Sequence, residues 1–455
     1  MRKSIGKVFV SLALAFSFGL TGFACTPPDS ESSGPQFKEP ALSNVKNVIL
    51  MIGDGMGPNH VKAGEIYKGS QLAIHSMPFS TYSLTSSANN EVTDSAAGAM
   101  ALATGVRTNN GYVGVDPNGK ELTTIMDLAL QAGKRTGVVT TDTMSGATPM
   151  AFAAHCADRK DSTALLNSAV ESGINLFVST SNDVEGDFQY KGYSNLPDVA
   201  DISEATGDYV LGTYDILASA PSGSAEIGNV ALDRVVSEAI EYLSKDTDGF
   251  VLMAEGARID KHAEQNNLER TIEEMIAFDD AVKVALDWAK DRNDTIVIVT
   301  ADHETGGLTL ADDITKENMA SKHSWSTHGH TATNVYCNVY AEDIDFLRFS
   351  SEDTVAELKN ADIFTIMKTF VQGYQQASLT VKQNSALGGE VTVDKKAFCF
   401  GEKIKINVKT NKNYRLTSFK INDKECVNEL DKNGALEYVV DASKVVIKVL
   451  FVKDM

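Results

Sequence analysis

Four stretches of this chain are apolar or β-branched on both faces rather than on alternate residues. They are residues 45–52 (broken only by Lys46-Asn47), 136–141, 250–254 and 295–300. A strand with two apolar faces has to be covered on both sides, which places it inside a parallel sheet. Helical patterns lie between these runs, as at 123–132, stopped by Gly133, and from about 260 to 290. The expectation is an α/β fold, a three-layer sandwich with a mostly parallel central sheet.

The runs end in polar turns. Residues 45–52 lead into Gly53-Asp54-Gly55-Met56-Gly57, and 250–254 into Glu255-Gly256-Ala257-Arg258-Ile259-Asp260. Residues 295–300 lead into Ala301-Asp302-His303-Glu304, and 136–141 into Gly146-Ala147-Thr148-Pro149. In open α/β sheets the C-terminal edge of the strands is where sites form. Acids gathered there with His303 and His330 point to a metal site. His323, His328 and His330 are three of the chain's eight histidines.

A serine joins this set. Ser95 precedes an alanine-rich helical pattern, 96–103, that stops near Gly105. With Thr93 or Asp94 as N-cap, Ser95 falls in the first turn, where free N–H groups and the helix dipole suit a phosphate or an oxyanion. From Met150 a helix is expected that carries His155 and Arg159 on one face. An arginine aimed into such a site is a bidentate phosphate clamp.

The formal net charge of −20 speaks against nucleic-acid binding, but not against an anionic substrate, because bound cations reverse the local field. Arg2, Lys3 and Lys7 ahead of the apolar run 8–20 read as a signal peptide, residues 1–24. Cys25 is then a lipidation candidate, with residues 25–41 as a polar tether; plain cleavage and secretion is the alternative. Either way the chain is expected to be exported, as a periplasmic or outer-membrane/cell-surface lipoprotein. A catalytic domain over 42–375 and an all-β C-terminal module over 376–455 complete the division, since short alternating strands begin near 379. Residues 182–225 read as an irregular insertion. Of the five cysteines, Cys156 and Cys337 read as core thiols, while Cys399 and Cys426 share the last domain and could pair.

In this order the motifs resemble the alkaline phosphatase family, over roughly residues 45–374. The resemblance implies a phosphomonoesterase with two Zn²⁺ ions and one Mg²⁺, acting on small-molecule phosphomonoesters through a phosphoserine intermediate. It makes Ser95 the nucleophile and Arg159 the phosphate clamp. It assigns Asp54, Asp302 and His303 to the zinc that activates Ser95, with Asp54 bridging to magnesium. Thr148 and Glu255 become magnesium ligands, and Asp260 and His330 ligands of the second zinc. Two positions depart from the family. The place four residues after Asp260, usually histidine, is Glu264; the register through Phe278-Asp279-Asp280-Ala281-Val282 is ungapped, so Glu264 is taken as the metal ligand there. Two residues before Thr148, where Asp or His is common, stands Gly146. Family members are often dimers, so a homodimer is expected. The C-terminal segment is similar to small β repeat domains of bacterial surface proteins, through Gly388-Gly389-Glu390-Val391 and Asn413-Tyr414-Arg415-Leu416. Two other readings are a phosphodiesterase of the same superfamily and a non-catalytic surface or binding protein that retains the fold. A sulfatase would need Pro and Arg at set places after its modified residue, and Ser95-Ala96-Ala97-Gly98-Ala99 lacks them.

Overall fold

A computed structural model describes residues 46–180, 188–189, 191–342, 358–371, 376–394, 398–399, 403–439 and 444–454. Its contacts define two compact units, one spanning Asn44–Gln372 and one holding the chain from Gly373 onward. The Cys25 region lies outside the described residues.

The first unit is built on a ten-stranded sheet. Its strands are β1 (Asn47–Gly53), β2 (Phe79–Leu84), β3 (Arg135–Thr140), β4 (Leu176–Ser179), β5 (Ser194–Leu196), β6 (Val210–Thr213), β7 (Phe250–Gly256), β8 (Thr295–Thr300), β9 (Val335–Tyr340) and β10 (Leu358–Lys359). They lie in the order β10-β2-β9-β8-β1-β7-β3-β4-β6-β5. From β8 to β5 every neighbouring pair is parallel. β9 runs antiparallel to both β8 and β2. Every residue of β1, β7 and β8 is buried, as strands without a polar face require. The central strands end in step: Ile52 is opposite Glu255 on one side and Thr300 on the other, and Thr140 is opposite Glu255. That register brings the polar turns of four strands to one edge.

Helices cover the sheet. Val235 and Ile240 of the helix Leu232–Leu243, and Met275, Phe278 and Val282 of a longer helix, pack with Ile49, Met51, Leu252 and Val297 in one core. The helix expected from 260 to 290 is two: α1 (Arg258–Ala263) and α2 (Leu268–Ala289). Asn266 takes a left-handed φ of 53°, and the Asn267 side chain accepts from Arg270 N at 3.2 Å, so the chain stops and restarts with a fresh cap. The segment expected to be irregular contributes β5 and β6 to the sheet, and β6 is mostly buried. Cys337 is buried, whereas Cys156 is only half-buried.

The second unit has a five-stranded and a three-stranded sheet. Ile404, Ile406, Phe419, Ile421, Val445, Ile447 and Phe451 form its core. Cys426 is a buried free thiol. Among the described residues no helix is long and apolar enough to cross a membrane.

Candidate active site

Ser95 opens the helix Ser95–Thr104, all of whose residues are buried. Asp94 caps it: Oδ1 accepts from Ala97 N at 2.9 Å. Gly105 ends it with a φ of 73°. Gly98 sits mid-helix because a Cβ there would come within 2.8 Å of the Asp302 carbonyl oxygen. The missing side chain lets the serine helix lie directly on the turn after β8.

His303 is the hub. Its Nε2 lies 3.2 Å from Ser95 Oγ, 3.3 Å from Asp54 Oδ1 and 3.3 Å from Asp302 Oδ2. The tautomer follows from Thr305. Thr305 Oγ1 donates to Asp260 Oδ1 at 2.5 Å, so its lone pair is what faces His303 Nδ1 at 3.2 Å, and Nδ1 carries the proton. Burial, and then His330, push His303 well below the usual histidine range, so the ring is neutral. An Nε2 lone pair therefore points at two carboxylate oxygens. His330 also turns a ring nitrogen to a carboxylate: its Nδ1–H donates to the Thr93 carbonyl at 2.9 Å, and its Nε2 lies 3.6 Å from Asp260 Oδ1. Lone pairs facing carboxylates repel unless a cation lies between them.

The carboxylates are strained in the same sense. Asp302 Oδ1 accepts from Gly55 N at 3.2 Å and His303 N at 3.0 Å, but its Oδ2 has no hydrogen-bond partner. Asp54 Oδ1 and Thr148 Oγ1 are likewise buried and unpartnered. Burial, then Asp260, lifts Asp302 to about 7. Burial, then Asp142, lifts Glu255 to about 8, and burial with Asp302 lifts Asp54 well above the usual range. Two ligand groups fit divalent ions: Asp54, Asp302 and His303, and Asp260, His303 and His330.

Arg159 reaches this centre by a route the sequence pattern misses. The helix after Gly146 ends at Ala153, and His155 and Arg159 lie beyond it. The chain instead pairs back on the loop after the serine helix. Cys156 bridges Val113 through bonds of 2.9 and 3.1 Å, and Arg159 N donates to the Gly111 carbonyl at 2.9 Å. Arg159 Nη1 then meets Asp94 Oδ2 at 3.1 Å, beside Ser95. His155 faces away, with Nδ1 3.2 Å from the Gly114 carbonyl.

Glu264, the remaining expected ligand, lies beside the Asp260 group rather than in it. Its N–H donates to the Asp260 carbonyl at 2.8 Å, so it shares the last turn of α1, but its side chain is exposed and in neither ligand group. Burial and Asp260 raise its pKa and His330 lowers it, so it lies in the field of both. His328 Nδ1 donates to the Glu264 carbonyl at 2.8 Å, and His262 turns instead towards Glu274, 3.8 Å away. Residues that sequence reasoning missed are Thr305, which sets the His303 tautomer, and Thr140, whose hydroxyl donates to Glu255 Oε2 at 2.5 Å. No local pattern marks a single threonine in either turn.

A family model described as Alkaline phosphatase matches residues 45–182 and 188–397. Alkaline phosphatase 4 of Bacillus subtilis is 32% identical over 60% of this chain and 64% of its own length. Alkaline phosphatase 3 of the same organism is 30% identical over 68% of this chain and 71% of its own. The structure of alkaline phosphatase from the Antarctic bacterium TAB5 superposes with a TM-score of 0.62 and 30% identity, covering 72% of this chain and 98% of that one. A variant of that enzyme has been solved with Mg bound in its M3 site. On the match to more than half of its length, this chain belongs to the alkaline phosphatase family.

Proposed function

We propose that the chain hydrolyses phosphate monoesters with Ser95 as nucleophile and divalent cations as cofactors. The observation that carries this is the pair of imidazole Nε2 atoms, of His303 and His330, aimed at carboxylate oxygens beside a helix-capped serine. Asp54, Asp302 and His303 would hold one zinc, and Asp260 and His330 the other. Thr148 and Glu255, with Asp54, offer the hard oxygens that magnesium takes. Bound there, the cations supply Lewis acidity that makes the serine hydroxyl acidic and offsets phosphoryl charge. The chain's own residues do the rest. The dipole of the Ser95 helix favours an anion at its start. Arg159, held by Asp94, grips the equatorial oxygens. Asp94 in turn spends its other oxygen on the cap, so clamp and nucleophile are fixed by one carboxylate. The deciding assay is hydrolysis of an aryl phosphomonoester against the corresponding bis-ester with zinc and magnesium varied. Monoester turnover that depends on both metals supports the reading, and preferred cleavage of the bis-ester favours a diesterase.

Arg159→Ala is expected to raise KM for the aryl phosphate and the Ki of inorganic phosphate about tenfold to hundredfold, the worth of a charge-assisted hydrogen bond or two. An unchanged Ki would remove Arg159 from phosphate binding.

On this reading Glu264 completes the Asp260–His330 set, since it feels the charges of both and shares Asp260's helical turn. Oxygen-rich sets prefer zinc less. Glu264→Ala should weaken zinc about tenfold in a metal titration, and Glu264→His should tighten it. A titration of Glu264→Ala that overlays the parent would leave Glu264 in solvent.

The amino-terminal pattern supports export with a lipid on Cys25, towards a periplasmic or surface location. Mass spectrometry of the mature N-terminus should find an acylated Cys25; an unmodified start beyond residue 25 would mean simple secretion.

A further inference from the structure

The turn after β3 brings Asp142 against Lys261, and neither residue has a role in the reading above. Asp142 Oδ1 contacts Lys261 Nζ and accepts from Thr143 N at 2.7 Å. Lys261 follows Asp260 on α1, and its charge acts on Asp260 and Glu264. The Asp142 charge also acts on the Glu255 carboxyl, where it is the largest influence after burial. The turn is firmly seated. Asp142 N donates to Thr140 Oγ1 at 2.9 Å, and that hydroxyl donates to Glu255 Oε2. The Asp142 carbonyl accepts from Thr180 N at 2.9 Å and Thr180 Oγ1 at 3.0 Å. Below the carboxylate lies Gly146. A Cβ there would stand 3.0 Å from Asp142 Oδ2 and 3.1 Å from the Thr143 carbonyl oxygen, tighter than an ordinary contact. The glycine leaves the space across which the Asp142 carboxylate folds.

We propose that Asp142 is a positioning residue of the phosphatase site, seated over Gly146, that restrains the Lys261 ammonium at the rim and adds negative charge beside the cation place of Thr148 and Glu255. The proposal rests on the phosphatase reading, and its two consequences have opposite signs. Removing the Asp142 charge makes the cation place less negative, so magnesium binds more weakly. It also frees Lys261 to face an anion, so phosphate binds more tightly.

The test reads binding rather than turnover, so its failure is separable from failure of the assigned reaction. Metal-stripped protein is reloaded with zinc, then titrated with magnesium chloride by thermal shift and, separately, with inorganic phosphate by calorimetry. Asp142→Asn keeps the Thr143 hydrogen bond and should weaken magnesium about tenfold, the usual cost of losing a group behind a metal ligand. It should tighten phosphate severalfold. In a Lys261→Gln background the same substitution should still weaken magnesium but no longer tighten phosphate. Gly146→Ala, which crowds the carboxylate from below, should move both readouts in the direction of Asp142→Asn and guards against a misfolded aspartate variant. The proposal is overturned if Asp142→Asn or Gly146→Ala leaves both titrations as in the parent. It is also overturned if Asp142→Asn tightens phosphate equally with and without Lys261.

Discussion

Ser95→Ala should lower kcat for an aryl phosphomonoester by a factor on the order of 10⁴ or more, as loss of a covalent nucleophile does. The fold should survive. Ser95 is the first residue of a helix whose cap belongs to Asp94, and its hydroxyl bonds only to His303 among the contacts described. Circular dichroism and the zinc titration should therefore match the parent, because Asp54, Asp302 and His303 remain in place. Ser95→Thr keeps the hydroxyl but adds a methyl group to a site that is only 6% exposed, and should recover little. A Ser95→Ala protein with more than about a tenth of parental kcat would remove the serine from the chemistry.

Stripping the metals should make stability depend on pH in an unusual direction. Glu255 is lifted from 4.5 to about 8, and Asp302 from 3.8 to about 7. Between the lower and upper values the folded, metal-free protein keeps protons that the unfolded chain has released. Stability is therefore full below about pH 4 and is lost as pH rises towards 8. The Tm of stripped protein should fall by several degrees between about pH 5 and pH 8.5, since 1 kcal/mol moves Tm by roughly 2 °C in a domain of this size. Zinc and magnesium displace those protons, so metal binding should release protons and tighten with pH, and the loaded protein should lose the slope. Asp302→Asn should flatten the slope without metal and fail to bind zinc. Stripped protein that is equally stable at both pH values would mean the carboxylates are not held in mutual repulsion.

What the sequence makes legible is what is written locally. A two-faced apolar run followed directly by an acid is a short pattern, and Asp54, Glu255 and Asp302 stand out by it. Ser95 is found because a cap, a serine and a run of alanines are adjacent. Arg159 is identified but misplaced. Helical spacing puts it on a helix, while the pairing of Cys156 with Val113 wins because it satisfies backbone groups on both segments and brings the arginine to Asp94, the residue before the serine. The long helix after Asp260 breaks where two asparagines offer a left-handed turn and a new cap, a local choice that periodicity passes over. β2 escapes because a half-buried strand has a weak apolar signal: along Phe79–Leu84 the more buried residues alternate with exposed ones. Thr305, Thr140 and Asp142 act through single hydrogen bonds or charges across the sheet edge. Their partners are fixed by register, which no single-chain pattern shows.

The account turns on a phosphoryl group passing through Ser95. Metal-loaded protein mixed with a phosphomonoester and quenched in acid should yield a peptide phosphorylated at Ser95, and Ser95→Ala treated alike should yield none. Turnover of the parent with no phosphate on Ser95, or with phosphate on another residue, would contradict it.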